Sequence, residues 1–470
     1  MERLVCCFSK SKKTCRVETF FENKHIVSLM NEFILLIVIF SSIPFAFSQE
    51  FPNLGVKVET VADNLEIPWS ITWAPDGTIF FTERIGNVKV IKNGLVMEKP
   101  ILSLDVGGGE GGLLGIAIDP NFSENHFIYL YFTHNDFLST KNKVVRYFES
   151  DLTLTENKVL IDNIPGGGVH DGGRIKFGPD GKLYITTGEA GNPNLSQDLN
   201  SLAGKILRIN SDGTIPDDNP FSNSPVYSYG HRNPQGLDWD ILGNLIATEH
   251  GPTGWRGVAH DEINFIIPGE NYGWPEIIGS ETKSGFKSPI LESGDETWAP
   301  SGAEFYYGEK FPAWVGKYFV ATLRGTHLQM VDFDLENNQV LSHEKLFLGN
   351  FGRLRDVATS PDGNLYLLTS NQDGRGKPSI TDDKILRIVP LNVINSFEDC
   401  IKAGNPITES NPRECNQNGK IFVEEIESST NTIPEWIRKI FIWYGQDQIS
   451  ESELLNAIKF LIQQKIIILD

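Results

Sequence analysis

Gly178-Pro-Asp-Gly-Lys-Leu-Tyr-Ile-Thr186 is one copy of a phrase that the chain repeats. Ala74-Pro-Asp-Gly-Thr-Ile-Phe-Phe-Thr82 and Ser360-Pro-Asp-Gly-Asn-Leu-Tyr-Leu-Leu-Thr369 match it closely. Looser copies are Asp240-Ile-Leu-Gly-Asn-Leu-Ile-Ala-Thr248 and Asp119-Pro-Asn-Phe122, which leads into Phe127-Ile-Tyr-Leu-Tyr131. Proline fixes φ, aspartate caps the turn and glycine accepts a positive φ, so each copy is a tight turn. The β-branched or aromatic run behind it reads as a buried strand. A second phrase, Gly86-Asn-Val-Lys-Val90, Lys205-Ile-Leu-Arg-Ile209 and Lys384-Ile-Leu-Arg-Ile388, supplies the next strand of the same sheet. Turns fall near residues 76, 120, 180, 242 and 362, with a further unit from Phe305 to Thr322. Six multi-stranded units at this spacing predict an all-β, six-bladed β-propeller over residues 55–390. Two β-sandwiches would not explain the recurring turn. The long inserts, about 212–228 and 253–296, become loops on one face, where propellers build their sites.

Composition agrees with a turn-rich β protein: of 470 residues 44 are Gly and 25 Pro, and 40% are hydrophobic. Forty-one Lys+Arg against 61 Asp+Glu give a net charge of −20, and no basic run offers a track for a phosphate backbone. Nucleic-acid binding is excluded on that ground. Cys6, Cys7 and Cys15 precede an apolar run, Cys400 and Cys415 lie near the end, and the body between has no cysteine. The propeller therefore needs no disulfide framework or cysteine metal site. Cys400 and Cys415 either close one short loop in an oxidising compartment or stay as two thiols.

Phe33-Ile-Leu-Leu-Ile-Val-Ile-Phe40, followed by Ala46-Phe-Ser48, has the length of a signal-peptide core with a small-residue cleavage site. Residues 1–48 are expected to be a signal peptide or an uncleaved anchor, with Met30 as a possible start, and the body to be exported. Beyond residue 390 the pattern changes. Residues 391–430 read as a polar linker holding Cys400 and Cys415. Residues 431–470 read as a helical hairpin, with a capping box at Ser450-Glu-Ser-Glu453 and apolar stripes through Trp436, Ile440, Trp443 and Leu454, Ile458, Leu461, Ile462. This hairpin is expected to attach to something and to stay out of the site.

Three polar clusters stand just before inner strands: His170-Asp-Gly-Gly-Arg174, Tyr229-Gly-His-Arg-Asn-Pro-Gln-Gly236 with Glu249-His-Gly-Pro252, and Gly352-Arg-Leu-Arg-Asp356. Loops ahead of inner strands converge on one end of a propeller's channel. His170, Arg232, Asn233, Gln235, Arg324, Arg353 and Arg355 are therefore expected around one pocket. Converging arginines in so acidic a protein call for a polyanionic small ligand. The alternative is that these arginines bridge blades by pairing with Asp356, Asp261 and Glu189.

In this order and over residues 55–390, these motifs resemble the soluble pyrroloquinoline-quinone (PQQ) dependent sugar dehydrogenases, the glucose/sorbosone and aldose sugar dehydrogenase family. The resemblance is carried also by Gly111-Gly-Leu-Leu-Gly115, Asp261-Glu-Ile-Asn264, Asn271-Tyr-Gly-Trp-Pro275 and Ala299-Pro-Ser301. It implies an oxidoreductase that takes aldose sugars to lactones with PQQ and Ca²⁺ and hands electrons to an external acceptor. His170 matches the general base, and Arg232 the arginine beside the reactive quinone carbonyl. Asn233, Gln235, Thr297, Arg324, Arg353 and Arg355 match cofactor contacts, with Arg324 where the family has lysine. The carbonyls of Gly251 and Pro252 match ligands of the catalytic calcium, and Glu262 with the Tyr272 carbonyl those of a structural calcium. Glu110 and Glu189 stand at sugar-side positions where other members carry glutamine and aspartate, so the sugar preference stays open, as does the oligomeric state.

The physics of that chemistry agrees with the residues. PQQ carries three carboxylates, which answers converging guanidiniums. Backbone carbonyls suit a hard cation, and imidazole is the side chain fitted to take a hydroxyl proton near neutral pH. Two other readings compete: a calcium-dependent lactonase of the same architecture, and a cofactor-free propeller that binds a protein. The first needs a carboxylate-rich funnel in place of Arg232, Arg353 and Arg355; the second has no need of His170 beside Arg232.

Overall fold

Each Pro-Asp-Gly turn joins an inner strand to the second strand of an antiparallel sheet. In the first copy the Gly77 N–H donates to the Ala74 carbonyl at 2.9 Å and the Thr78 N–H to Asp76 Oδ1 at 2.9 Å. Gly77 takes φ +83°, which only glycine adopts without strain. A computed structural model describes residues 48–136, 139–252, 259–391, 396–402, 405–408, 413–417, 420–424, 435–446 and 448–463. Residues 1–47, and with them the expected leader, lie outside the described residues.

Six sheets are arranged as the blades of a β-propeller. Their inner strands are Pro68–Trp73, Leu113–Ile118, Ile175–Phe177, Pro234–Trp239, Pro300–Phe305 and Leu354–Thr359. Each packs beside the next, and the last beside the first, so the ring closes. Strands buried on both faces must be apolar throughout, and the second strands Leu183–Thr187, Tyr318–Thr322 and Leu365–Thr369 are buried at every position. The blades adhere through side chains of adjacent sheets, as where Ile71 and Phe81 of blade 1 meet Leu368 and Ile385 of blade 6.

Blade 6 is built from both ends of the propeller. Val56–Ala62 pairs antiparallel with Ile385–Pro390, with Val58 opposite Ile388, and Ser48–Phe51 adds a fifth strand with Phe51 opposite Val56. The propeller reading begins at residue 55 without placing this strand. No turn phrase precedes it, and its partner is some 330 positions away.

Past the propeller, Cys400 and Cys415 form a disulfide with Cα atoms 6.0 Å apart, packed with Phe397 and Phe422. Two helices follow, Glu435–Gly445 and Glu451–Gln463. Ser450 and Glu453 cap the second, with the Ser450 N–H donating to Glu453 Oε2 at 2.6 Å. Ile440, Ala457 and Leu461 are buried against Ile241 and Leu242 of blade 4, and Phe460 lies edge-on to Tyr307 at 4.9 Å. Those contacts are on turns that follow inner strands, at the end of the channel away from the loops that precede them.

Candidate active site

The loops that precede the inner strands meet at one end of the channel. The His170-Asp-Gly-Gly-Arg174 segment turns sharply there. His170 itself has φ +59°, and a Cβ on Gly172 would lie 2.6 Å from the Thr186 carbonyl oxygen, so glycine alone fits. Holding a histidine in the left-handed region costs backbone energy and is kept only where its surroundings dictate it. Here the His170 N–H donates to Glu110 Oε2 at 3.0 Å and its carbonyl accepts from the Ala190 N–H at 3.0 Å.

The imidazole is held by one ring nitrogen. His170 Nδ1 meets the Glu189 carboxylate, whose side chain is 2% exposed against 17% for the histidine. A carboxylate on Nδ1 keeps the proton there and leaves Nε2 as the basic nitrogen. Glu189, expected beside the base, sits behind the imidazole on its Nδ1 side. Glu110 faces both ways: Oε2 holds the His170 backbone and Oε1 pairs with Arg375 at 2.6 Å. Burial pushes the Glu110 carboxyl up, but the His170 N–H and the charge of Arg375 hold it below its usual range.

The arginines divide into paired and unpaired. Arg174 bridges the channel to Asp356 at 3.0 Å and also donates to Ser70 Oγ at 3.0 Å, so it is the inter-blade strut of the alternative reading. Arg353 closes a fork on Asp373 Oδ2 at 2.8 and 2.6 Å. Among the described residues Arg355 has no carboxylate partner; it donates to Gln235 Oε1 at 3.1 Å and Ser301 Oγ at 3.3 Å, and its Nε has no partner there. Burial pushes the Arg355 guanidinium down to about 9, the neighbouring Arg84, Arg353 and Arg174 push the same way, and Asp373 opposes them. Among the described residues the Arg232 side chain donates to the His250 carbonyl alone, at 3.2 Å, and it lies 5.4 Å from the Trp274 ring. Burial lowers its pKa too, against Glu189, Glu249, Asp261 and Glu110.

Asn233 and Gln235 form the floor between these charges. Asn233 Oδ1 accepts from the Gly172 N–H at 3.0 Å and from Gln235 Nε2 at 3.2 Å, while Gln235 Nε2 donates to the Gly172 carbonyl at 3.0 Å. Asp261 ties the loop of blade 4 to that of blade 5: it accepts from Gly251 at 2.9 Å, Trp298 at 2.7 Å and Ala299 at 2.8 Å. Thr297, beside Trp298, is half-buried. Arg324 is exposed on the turn between strands Tyr318–Thr322 and Leu328–Asp334, with no hydrogen bond or ion pair among the described residues.

Gly251 and Pro252 are buried, and a Cβ on Gly251 would lie 1.9 Å from the Ala259 carbonyl oxygen and 2.4 Å from that of His260. Backbone oxygens therefore crowd this turn. Across the blade Glu249 stands opposite Glu262 in register. Burial and then the Glu249 charge push Glu262 up to about 8, with Asn264 and the Gly279 N–H pulling back. Asn264 Oδ1 beside it is buried without a partner. The Tyr272 ring stacks on His231 at 4.7 Å, and His231 Nδ1 meets Glu249 at 2.8 Å.

Sequence reasoning missed Arg84, His250, Asp373 and Arg375. Arg84 is half-buried with no side-chain hydrogen bond or ion pair among the described residues, and Asp373, Glu110, Arg375 and Arg353 are the charges acting on it. His250 is half-buried with its Nε2 enclosed and without a partner among the described residues, and burial pushes its pKa down to about 3, so it is neutral. A signal for these two was present. Arg84 and His250 stand two residues past Thr82 and Thr248, the same step of the repeated phrase, where the second strand returns to this end. No such periodicity marks Asp373 and Arg375.

The glucose/sorbosone dehydrogenase family model matches residues 65–386. The chain is 32% identical over 363 residues to the aldose sugar dehydrogenase YliI of Escherichia coli, covering 72% of this chain and 94% of that one. It is 33% identical over 337 residues to quinoprotein glucose dehydrogenase B of Acinetobacter calcoaceticus, covering 61% and 68%. Among solved structures it is similar to the PQQ-bound form of an aldose sugar dehydrogenase from Streptomyces coelicolor, with 38% identity, a TM-score of 0.64 and coverage of 74% of this chain and 99% of that one.

Proposed function

The chain belongs to the glucose/sorbosone dehydrogenase family, and from that premise we propose that it is a PQQ- and calcium-dependent dehydrogenase. It takes the C1 hydroxyl of an aldose to the lactone and delivers the electrons to an external acceptor. The observation that carries the reading is the set of guanidiniums without carboxylate partners among the described residues, the buried Arg355 and the half-buried Arg232 and Arg84, beside a histidine locked by a carboxylate. Three unpaired cations on a dry floor call for a ligand with several anionic groups. The unpartnered N–H groups of Arg355 Nε and Arg174 Nη2 support the same demand.

The residues fit both groups. Arg355, Arg232, Asn233 and Gln235 would hold the cofactor, with Arg353 oriented by Asp373 and with Thr297 and Arg324 as outer contacts. For calcium the donors available are oxygens throughout: the Gly251 and Pro252 carbonyls at one site, Glu262 and the Tyr272 carbonyl at the other. Among the described residues no trio of His, Cys, Asp and Glu side chains gathers for a metal, so a cation here would rest largely on carbonyl oxygens. A divalent ion beside Glu262 would relieve the burial of two facing carboxylates. When bound, PQQ supplies an electrophilic ortho-quinone that accepts hydride, and calcium polarises it as a Lewis acid.

The protein's own part is proton transfer and orientation. His170 Nε2 takes the C1 hydroxyl proton, and Glu189 stabilises the imidazolium that results. Arg232, half-hidden beside Trp274, supplies fixed positive charge where negative charge develops. We place the protein outside the cytoplasm, a reading supported by the apolar leader and by the Cys400–Cys415 disulfide. The test is direct: purified apoprotein receives PQQ and Ca²⁺, and sugar-dependent reduction of an artificial dye is measured. Dye reduction that needs both additions supports the proposal. PQQ binding with no oxidation of any aldose, or no PQQ binding at all, refutes it.

A further inference from the structure

Lys205 opens the third strand of blade 3, Lys205–Ile209, and its side chain is wholly buried. Among the described residues no carboxylate lies within ion-pair distance. Its ammonium donates instead to three backbone carbonyls, those of Leu195 at 2.8 Å, Ser196 at 3.0 Å and Ala203 at 2.6 Å. An ammonium has three N–H bonds, and all three are used. Burial pushes its pKa down to about 7, with Asp198 pulling the other way. Three carbonyl oxygens converging on one positive charge are the donor set that a loop ordinarily offers to a hard metal ion.

Those carbonyls belong to the loop of residues 188–204, whose regular structure among the described residues is one short turn, Pro193–Ser196. The loop carries Glu189. Its roots are tied by the Gly204 N–H to the Gly188 carbonyl at 2.9 Å and by Thr187 Oγ1 to the Leu202 carbonyl at 2.5 Å. Its flank is tied to the arginine segment by Ser196 Oγ to the His231 carbonyl at 2.6 Å and by the Glu189 N–H to the Arg232 carbonyl at 2.8 Å. The ammonium is the hub inside these ties.

We propose that Lys205 is a positioning residue: a tethered cation that organises loop 188–204 as a bound metal ion would, and so keeps Glu189 against His170. An aliphatic side chain at 205 would leave three buried carbonyls without donors. A cation drawn from solution would satisfy them only at sufficient concentration, whereas a covalently attached N–H donor is always at the site. The loop behind the base is thereby made independent of the calcium supply. The claim about catalysis rests on His170 being the base; the claim about the tethered cation does not.

The experiment uses Lys205→Ala in the full chain, with propylammonium as the probe, because it restores the three carbons and the ammonium that alanine lacks. The variant apoprotein should melt below wild type and regain its Tm with propylammonium but not with propanol. The ¹⁵N signals of the His170 ring, which report the Nδ1 proton held by Glu189, should change in the variant and return with the amine. In dye reduction kcat should fall at least tenfold with KM little changed, and recover likewise. Wild-type His170 signals in the variant, or a Tm that propylammonium raises no more than propanol does, would overturn the proposal. Should the variant not fold, the wild-type Lys205 Nζ decides: couplings from its N–H groups to three carbonyl carbons support the tethered cation, and their absence overturns it. Rescue of Tm and His170 signals in a protein that oxidises no sugar would leave this inference standing and the proposed function refuted.

Discussion

Replacing Glu189 by glutamine isolates what the carboxylate behind the imidazole contributes, because the side chain keeps its shape and loses only its charge. Glu189 is 2% exposed, so solvent does not substitute for it. A charge-assisted hydrogen bond of this kind contributes about 1.5–3 kcal/mol, which at ~1.4 kcal/mol per decade is roughly 10- to 150-fold in rate. That is the floor, reached if glutamine turns its carbonyl to His170 Nδ1. If it presents its amide N–H₂ instead, the ring proton moves to Nε2, and the loss approaches the 10²- to 10⁴-fold typical of removing a general base. His170→Ala sets that ceiling. The assay is single-turnover reduction of bound cofactor by sugar in stopped flow, with cofactor affinity measured separately. Affinity should hold or rise, since Glu189 opposes the loss of positive charge at Arg232 only as a neighbour. A Glu189→Gln enzyme within twofold of wild type, while His170→Ala loses 10² or more, would show that the imidazole is aligned without its carboxylate.

Arg355→Ala should cost cofactor affinity by about 10- to 150-fold, one charge-assisted pair, and Arg353→Ala with Arg355→Ala together should abolish it in an absorbance titration of apoprotein with PQQ. Chelation should abolish activity and lower Tm, as an ion bound only by the native state stabilises it. Glu262→Gln should lower Tm and calcium retention yet keep activity at low temperature and high calcium. Asp240 is fully buried and accepts N–H bonds from Leu242 at 2.9 Å and Asn244 at 2.8 Å, and burial raises its carboxyl to about 6. A folded-state pKa above the unfolded one means stability that is full below the unfolded value and lost as pH rises through about 6. That loss, on the order of 3 kcal/mol, should show in wild-type melting curves taken from pH 4 to 7 and be missing from those of Asp240→Asn. Leu461→Ala should loosen the helical hairpin by about 2–5 kcal/mol, seen as protease cleavage of the hairpin with dehydrogenase activity unchanged.

The blades were legible because their hairpins are local: Pro75-Asp76-Gly77 and its copies announce a turn, and the run behind each announces a strand. Val56–Ala62 was not placed, because its blade-mates lie at the far end of the propeller and no local signal connects them. In the site, His170, Arg232 and Arg355 could be named from motifs that precede inner strands. What those motifs do not carry is pairing. Arg353 has its fork filled by Asp373 and Arg355 does not, although they are two positions apart where one strand begins. Glu189 could be located but not given its orientation, since a residue at the start of a loop is aimed by contacts with Arg232 and His170 that come from the separate loops leading into two inner strands. Arg324 shows the reverse case, a basic residue in the right loop whose side chain stands in solvent.

The strand Val56–Ala62 has a consequence for how the chain reaches its native state. Val58 finds Ile388 only after some 330 intervening residues have been made, and closing so long a loop carries an entropic penalty that must be met before the contact stabilises anything. Five sheets can assemble in sequence as the polypeptide emerges; the ring cannot become a ring until its two ends meet. Topology of this kind slows folding, and it puts the cooperative event at the seam between first and last strands. The seam also makes the chain's opening a matter of convenience. A permuted gene that begins in the turn at Gly243 and joins the old ends would exchange one long-range closure for another and leave the six blades, with His170 and Arg355 at their common end, where they are.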